Sequence, residues 1–159
     1  MKPYKLLILS DTHGNVALVN ELLMKMDDFD KIVFLGDGWR DILSVRDAFP
    51  LQTEVVRGNC DSDCLWESDN VFLAGGVRFF ATHGDRYNVR YNRDILAAAA
   101  HSHDATVALY GHTHAAKLEM IDGILCINPG HTCYPNSTAT YCTIEIEDGN
   151  ILPKIEKYS

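Results

Sequence analysis

Apolar and polar positions fall along the chain in blocks that predict buried strands separated by helices. The runs "KLLILS", "KIVFLG" and "TEVVRG" are typical of buried strands, and "NVALVNELLMKM" and "RDILSVRDAF" between them have apolar residues at helical spacing. Two strands in "NVFLAGGVRFFATHG", a helix in "NRDILAAAAHSH" and a strand in "ATVALYG" follow. This alternation predicts an α/β core.

The last third of the chain reads as two hairpins. Apolar strands flank Asp122-Gly123 in "KLEMIDGILCINPG" and Asp148-Gly149 in "ATYCTIEIEDGNILPKIEKY", and Asp-Gly is favoured in tight hairpin turns. We expect these hairpins to build a second, more antiparallel sheet joined to the α/β core. The 159 residues have the usual length of one domain, so we expect a single domain over residues 1–159.

Composition narrows the classes of function. The longest apolar runs, "LLIL" and "ILAAAA", are far too short to span a bilayer, and the N-terminal run has no cleavage-site pattern, so we expect no membrane association. Five cysteines without a CxxC pair predict a reducing, cytoplasmic location. A formal net charge of -8 without clustered Lys and Arg leaves nucleic acid only as a substrate. The apolar hairpins after residue 115 could form a surface on which two copies of the chain associate, so a homo-oligomer is a further expectation.

Ligand-type side chains follow the ends of five predicted strands. They are Asp11 and His13 in "SDTHG", Asp37 in "GDG", Asn59 in "GNCD", His83 in "THGD", and His112 and His114 in "GHTH". Binding crevices of open α/β sheets lie at the carboxyl ends of the strands, and the neighbouring glycines let the backbone turn sharply. In extended chain, residues two apart point the same way, so each i, i+2 pair is expected to face one pocket.

Taken singly, these residues have ordinary structural roles. A lone histidine at a strand end is usually a hydrogen-bonded residue, and "GD" or "GN" is commonly a turn. The joint pattern is different, because four of the seven histidines and two carboxylates recur at the same topological position. Burying them together without a cation would be costly, so the set predicts a metal centre.

The ordered set D-x-H, G-D, G-N-x-D, H-G and G-H-T-H, with "NPG" at Asn128 to Gly130, resembles the calcineurin-like metallophosphoesterase superfamily. The short length and "GNCD" resemble its small bacterial and archaeal phosphodiesterase branch. The resemblance implies an α/β (α+β) fold, a four-layer αββα sandwich of two mixed sheets, with two divalent ions at the strand ends. By motif match, Asp11, His13, Asp37 and His114 would hold one ion, and Asp37, Asn59, His83 and His112 the other, with Asp37 bridging.

The donor atoms of this set bear on the metal and the reaction. Four imidazoles disfavour an all-oxygen Mg²⁺ or Ca²⁺ site, and mixed N and O donors suit Mn²⁺, our first expectation, or Fe, Zn²⁺, Co²⁺ or Ni²⁺. Two ions can clamp an in-line displacement at phosphorus by a bridging hydroxide, through which Asp37, Asn59 and His112 would act. The function implied is a dinuclear-metal-dependent phosphoesterase that hydrolyses a small phosphodiester.

Two residues depart from the superfamily pattern at positions expected to border the bound substrate, here called the substrate rim. Many members have His where this chain has Cys60, and a thiol is a weak hydrogen-bond donor, so we expect diester hydrolysis to be favoured over monoester hydrolysis. His131 stands after "NPG", where a small residue is common. We hypothesise that His131 reaches the cleft, with an exposed loop position as the alternative. Arg86, after "HGD", is a further rim candidate.

Other functions stay open at this point. A non-catalytic protein-binding scaffold can keep this fold, as a retromer coat subunit does, but such drift should remove ligands and all seven positions hold ligand-type residues. A phosphomonoesterase or nuclease variant would use the same centre. A metallo-β-lactamase-type or deaminase zinc site needs H-x-H-x-D-H, or H-x-E with P-C-x-x-C, and the sequence has neither.

Overall fold

The computed structural model describes residues 2–25, 28–133 and 138–158. Within these ranges the strands and helices, in chain order, are β1 Tyr4–Leu9, α1 Val16–Leu23, β2 Lys31–Phe34, α2 Trp39–Ala48, β3 Thr53–Val55, β4 Asp69–Ala74, β5 Val77–Thr82, α3 Asp94–Ser102, β6 Val107–Leu109, β7 Lys117–Ile121, β8 Ile124–Asn128, β9 Thr140–Glu147 and β10 Asn150–Lys157. Met26, at the end of the predicted first helix, lies outside them. No helix of the described ranges has the length and apolar character needed to cross a membrane.

The strands form two five-stranded sheets that pack face to face. The first has the order β10-β9-β1-β2-β3 and the second the order β4-β5-β6-β8-β7. Between them lies one apolar cluster, to which Ile8 and Phe79 contribute from facing sheets. Leu18 of α1 and Ile42 of α2 cover the outer face of the first sheet, and Leu96 of α3 covers that of the second. The predicted four-layer αββα sandwich of two mixed sheets is confirmed.

The expectation that both C-terminal hairpins build the second, more antiparallel sheet is wrong for the last hairpin. The β7–β8 hairpin extends the second sheet through parallel pairing of β8 with β6. The β9–β10 hairpin returns to the first sheet, where β9 pairs antiparallel with β1 and Cys142 lies opposite Ile8. In β9, Ile144 and Ile146 lie in the inter-sheet cluster. An Asp-Gly turn between apolar strands predicts a hairpin but does not specify which other strand the hairpin pairs with.

The carboxyl ends of strands from both sheets meet at one edge of the sandwich. β1 and β2 run parallel in the first sheet, and β5 and β6 run parallel in the second. His83, after β5, places its Nδ1 2.7 Å from the carbonyl oxygen of Leu35, which follows β2. This hydrogen bond joins the two sheets at the edge where the candidate ligands lie.

Candidate metal centre

Most candidate ligands lie on sharp turns and not on extended chain. Asp11, His13, Asp37, His112 and His114 have φ values of 57°, 42°, 63°, 70° and 65°. The extended-chain argument for the i, i+2 pairs is therefore wrong about the backbone, although each pair does reach the same site. Residues other than glycine rarely adopt positive φ, and such conformations persist where the surrounding structure fixes them.

The two oxygens of the fully buried Asp11 carboxylate have different surroundings. Oδ2 accepts hydrogen bonds from the Ser10 hydroxyl at 2.6 Å and the His112 backbone N–H at 3.1 Å. Oδ1 has no hydrogen-bond partner in the described part of the chain, and it faces Nε2 of His114 at 3.3 Å and Nε2 of His13 at 3.7 Å. An orphaned buried oxygen among imidazoles is costly unless a cation meets it.

The Asp37 carboxylate lies between histidines that come from the two different sheets. Its Oδ1 accepts the backbone N–H of Cys60 at 2.8 Å. Its Oδ2 lies 3.1 Å from Nε2 of His83 and 3.7 Å from Nε2 of His13. A single oxygen therefore faces both sides of the site, which is the position that a bridging ligand requires.

The donor atoms form two groups with no residue in common, and a third group of His13, Asp37 and Cys60 overlaps both. In each group they lie within 4.8 Å of one another, the first being Asp11, His13 and His114 and the second Asp37, His83 and His112. Asn59 joins the second group, because its Oδ1 is 3.1 Å from Nδ1 of His112. All seven predicted ligands therefore come together, and the two histidines of "GHTH" part into different groups.

Charge within the site favours bound cations. Burial raises the pKa of Asp11, but the His114 and His13 imidazoles beside it outweigh burial and hold that pKa well below its usual range. Burial lowers the pKa of His83, but its pairing with Asp37 and the charge of Asp11 raise the pKa to about 9. The His83 Nε2 atom is buried without a well-formed hydrogen bond in the described residues. A divalent ion that displaces its proton would satisfy this nitrogen and both carboxylates.

The loops after β2 and β3, which carry Asp37 and Asn59, are held by a carboxylate that was not predicted from the sequence. Asp61 accepts four backbone N–H groups, those of Asp37 at 2.8 Å, Gly38 at 2.8 Å, Trp39 at 3.1 Å and Gly58 at 2.7 Å. It is the last residue of "GNCD", so the motif marked its position but not its contacts. Asp61 thereby ties the loop after β2 to the loop after β3.

A second supporting carboxylate, also missed, holds the loop after β1. Asp41, buried near the start of α2, accepts the Thr12 hydroxyl at 2.5 Å and the Gly14 backbone N–H at 2.8 Å with one oxygen. Thr12 and Gly14 flank His13, so Asp41 fixes the turn that carries this ligand. Its sequence position inside a helix gave no signal of this contact.

Two predicted rim residues border the ligands. The exposed Cys60 has its Sγ within 4.8 Å of donor atoms of His13 and Asp37. The half-buried His131 ring has its centroid 5.4 Å from that of His114. Its two ring nitrogens lie 3.1 Å from Cys133 Sγ and 3.0 Å from Thr138 Oγ1. His131 therefore borders the site at His114 while both nitrogens have neighbours of their own.

An arginine that the sequence analysis did not select also contacts the site. Arg90 donates from Nε to Nε2 of His112 at 3.2 Å. Arg86, the predicted rim arginine, is exposed in the 3-10 turn Asp85–Tyr87, and no contact in the described ranges joins it to a candidate ligand. Arg90 lies in the loop segment "NVRY", away from any strand end, and so no motif marked it.

An imidazole and carboxylate centre at the strand ends of an αββα sandwich defines a metallophosphoesterase. Residues 4–149 match the family model of the calcineurin-like phosphoesterase superfamily domain. A probable metallophosphoesterase of Mycoplasma pneumoniae is 31% identical over 156 residues, or 92% of each chain. A phosphodiesterase of Methanocaldococcus jannaschii is 27% identical over 147 residues, 81% of this chain and 84% of that one. The chain belongs to the calcineurin-like phosphoesterase superfamily, in its branch of small bacterial and archaeal members.

Solved structures share the fold. A predicted phosphoesterase from Streptococcus pneumoniae TIGR4 has a TM-score of 0.82 at 25% identity, covering 99% of this chain and 91% of that one. Vacuolar Protein Sorting 29 from Cryptosporidium parvum has a TM-score of 0.77 at 16% identity over the full length of both chains. The second similarity concerns the fold alone.

Proposed function

We propose that this metal-dependent phosphoesterase hydrolyses small phosphodiesters with two divalent ions. The observation that carries the proposal is the placement of Asp37 Oδ2, 3.1 Å from Nε2 of His83 and 3.7 Å from Nε2 of His13. These two histidines belong to different donor groups. A carboxylate oxygen shared between two groups supports two ions held side by side.

The donor groups indicate which residues would hold each ion. Asp11, His13, His114 and Asp37 would hold one ion, and Asp37, Asn59, His83 and His112 the other. Mixed nitrogen and oxygen donors suit Mn²⁺, our first expectation, with Fe, Zn²⁺, Co²⁺ and Ni²⁺ as alternatives. Such ions, when bound, lower the pKa of a coordinated water and neutralise phosphoryl oxygens.

The protein side chains would fix the positions of the ions and limit the negative charge beside the substrate. Asp37 would hold the two donor groups at a fixed separation, since its other oxygen is anchored by the Cys60 backbone N–H at 2.8 Å. Asn59 is a neutral donor and adds no negative charge beside an anionic substrate. His83 is oriented by the Leu35 carbonyl at 2.7 Å, so its Nε2 stays aimed into the site. Ligands fixed in this way spare the reaction the cost of reorganisation.

Diester specificity is supported by the rim. Cys60 offers a thiol where an imidazolium would protonate or stabilise a poor leaving group, and a thiol is a weak donor. A cavity of about 240 Å³ lies beside His13, Asp37 and Cys60, with Trp39 and Arg40 in its wall. We assign this cavity to the substituent of the diester that leaves. The archaeal relative at 27% identity is named a phosphodiesterase, which is consistent with this assignment.

The alternative function is a protein-binding scaffold, because Vacuolar Protein Sorting 29 shares the fold over its full length. Against it stands the presence of all seven ligand-type residues in two donor groups. A phosphomonoesterase or nuclease activity of the same centre is the second alternative. The single-domain organisation, the cytoplasmic location and a homo-oligomer stay predictions.

The test is metal-dependent turnover. The protein is stripped with a chelator, reloaded with Mn²⁺ and assayed on bis(p-nitrophenyl) phosphate and p-nitrophenyl phosphate. We expect no activity in the stripped protein and faster hydrolysis of the diester after reloading. Absence of turnover of both substrates would overturn the enzyme assignment in favour of the scaffold. Preference for the monoester would overturn diester specificity alone.

A further inference from the structure

The loop that carries Arg90 is fixed to the second sheet. Val89 is buried, and a Cβ added at Gly84 would lie only 2.9 Å from its Cγ2. The Tyr87 hydroxyl donates to Asp69 at 2.6 Å, and Arg93 donates to the Val89 carbonyl at 3.2 Å. These contacts hold the backbone on both sides of Arg90, so its guanidinium is presented from an anchored loop.

Arg90 touches the imidazole of His112 on the side away from Asn59. Its Nε donates to Nε2 at 3.2 Å, while Nδ1 of the same ring lies 3.1 Å from Oδ1 of Asn59. Asn59 and His112 belong to the donor group of Asp37 and His83. The guanidinium therefore stands at the outer border of that group.

The other nitrogens of the Arg90 guanidinium make no hydrogen bond or ion pair in the described part of the chain. Arg93, three residues on, is by contrast paired with Glu119. Arginine carries five N–H donors in a rigid fork, so most of those of Arg90 remain available at the mouth of the site.

Electrostatics indicate what this arginine binds. A guanidinium beside a metal ligand is repelled by a cation held there, and an anion between the two positive charges relieves the repulsion. Phosphate oxygens match the fork geometry of arginine and form strong charge-assisted hydrogen bonds with it. The net charge of the chain is -8, so acidic side chains outnumber basic ones. An arginine without a carboxylate partner at this site is therefore not the result of a surplus of basic side chains.

We propose that Arg90 is a substrate-binding residue that donates to a non-bridging oxygen of the phosphoryl group from the His112 side of the site. This inference rests on the proposed function, because it takes a phosphate ester as the substrate. It extends that function by placing the recognition of the phosphoryl group on a named side chain outside the ligand set.

The expected effect follows from losing one charge-assisted contact to the substrate. Arg90→Ala should raise the KM for bis(p-nitrophenyl) phosphate, and the inhibition constant of inorganic phosphate, each about tenfold. Arg90→Lys should lie between Arg90→Ala and the wild type, since an ammonium keeps the charge but not the fork. Both variants should bind as much Mn²⁺ as the wild type, because Arg90 is not a ligand.

The matched control is Arg78→Ala, an exposed arginine near the start of β5, at the opposite end of that strand from His83. It should leave KM, phosphate inhibition and Mn²⁺ content unchanged. Unchanged KM and phosphate inhibition in Arg90→Ala would overturn the proposal, as would loss of Mn²⁺, because the arginine would then support His112 and not the substrate.

Calorimetry separates this inference from the proposed function. Binding of inorganic phosphate to the Mn²⁺-loaded protein is measured without turnover. If the wild type binds phosphate and Arg90→Ala binds it about tenfold more weakly, the assignment of Arg90 stands even where hydrolysis fails. Equal binding by both proteins would overturn the assignment and leave the hydrolase proposal intact.

Discussion

The carboxylate of Asp61 accepts the backbone N–H of Asp37 at 2.8 Å, although the two residues follow different strands. The same oxygen accepts the Gly58 N–H at 2.7 Å. The position of the Asp37 carboxylate therefore depends on a residue that belongs to neither donor group. Asp61 acts as a positioning residue for the metal centre.

Replacing Asp61 should cost stability as well as metal binding. Asp61→Asn keeps one oxygen acceptor but loses the charge and half of the acceptor capacity for four N–H groups, so the free energy of unfolding should fall by about 2 kcal/mol. Urea denaturation of the metal-free protein measures this. Asp63→Asn is the matched control, because Asp63 is exposed and should stay within about 0.5 kcal/mol. Equal losses in both variants would contradict the positioning role.

Gly58 is expected to tolerate no side chain. A Cβ at Gly58 would lie 2.1 Å from Oδ1 of Asp37 and 2.6 Å from its backbone nitrogen. Gly58→Ala should push the carboxylate out of place and weaken Mn²⁺ binding about tenfold or more, an effect of the size seen when ligand-supporting contacts are lost. Titration calorimetry with Mn²⁺ measures this, and circular dichroism checks that the variant is folded. Wild-type affinity in a folded variant would contradict the geometry.

The metal-free protein should lose stability as the pH rises above neutrality. His83 has a pKa raised from 6.5 to about 9 in the folded state. A group whose pKa is raised by folding contributes stability below its unfolded pKa, and that contribution is lost as the pH rises through the folded pKa. The Tm of the metal-free protein should therefore fall between about pH 6.5 and 9.

Two comparisons test whether His83 causes this fall of Tm with pH. His83→Gln should flatten the slope of Tm against pH, since glutamine does not titrate. Loading with Mn²⁺ should flatten it as well, because the ion takes the place of the proton. A metal-free wild type and His83→Gln with parallel profiles over this range would show that another group is responsible.

Substitution of Cys60 tests the argument on leaving groups. Cys60→His places an imidazole at the rim beside His13 and Asp37, where it can donate to a departing oxygen. Hydrolysis of phenyl phosphate, which has the poorer leaving group, relative to p-nitrophenyl phosphate should rise about 100-fold or more, the usual range of general acid catalysis. Cys60→Ser is the control and should leave the ratio near that of the wild type. An unchanged ratio in Cys60→His would remove the basis for diester preference.

Much of the site could be predicted because its ligands occupy strand ends, and strand ends can be recognised from apolar runs followed by glycine. Asp11, His83 and His114 were all selected on that basis, and the structure brings them together. The four-layer fold followed from the resemblance of the ordered motifs to the superfamily. The conformation of the ligands did not follow, because the positive φ of Asp11 or His114 is fixed by contacts between loops and not by local sequence preference.

The supporting residues escaped prediction for a related reason. Asp61 and Arg90 act through contacts with residues distant in the sequence. Asp61 accepts a hydrogen bond from Gly38, 23 residues earlier, and Arg90 donates one to His112, 22 residues later. Neither belongs to a periodic pattern of the surrounding segment. The β9–β10 hairpin shows the same limit, since Asp148-Gly149 predicts the hairpin but not its pairing with β1.

The number of Mn²⁺ ions bound per chain at equilibrium tests the central claim most directly. The account predicts two ions in the wild type and weaker binding of both in Asp37→Ala. It also predicts that His112→Ala retains the ion at Asp11 and His13 better than His114→Ala does. One ion per chain in the wild type, or the loss of only one ion in Asp37→Ala, would contradict a centre bridged by Asp37.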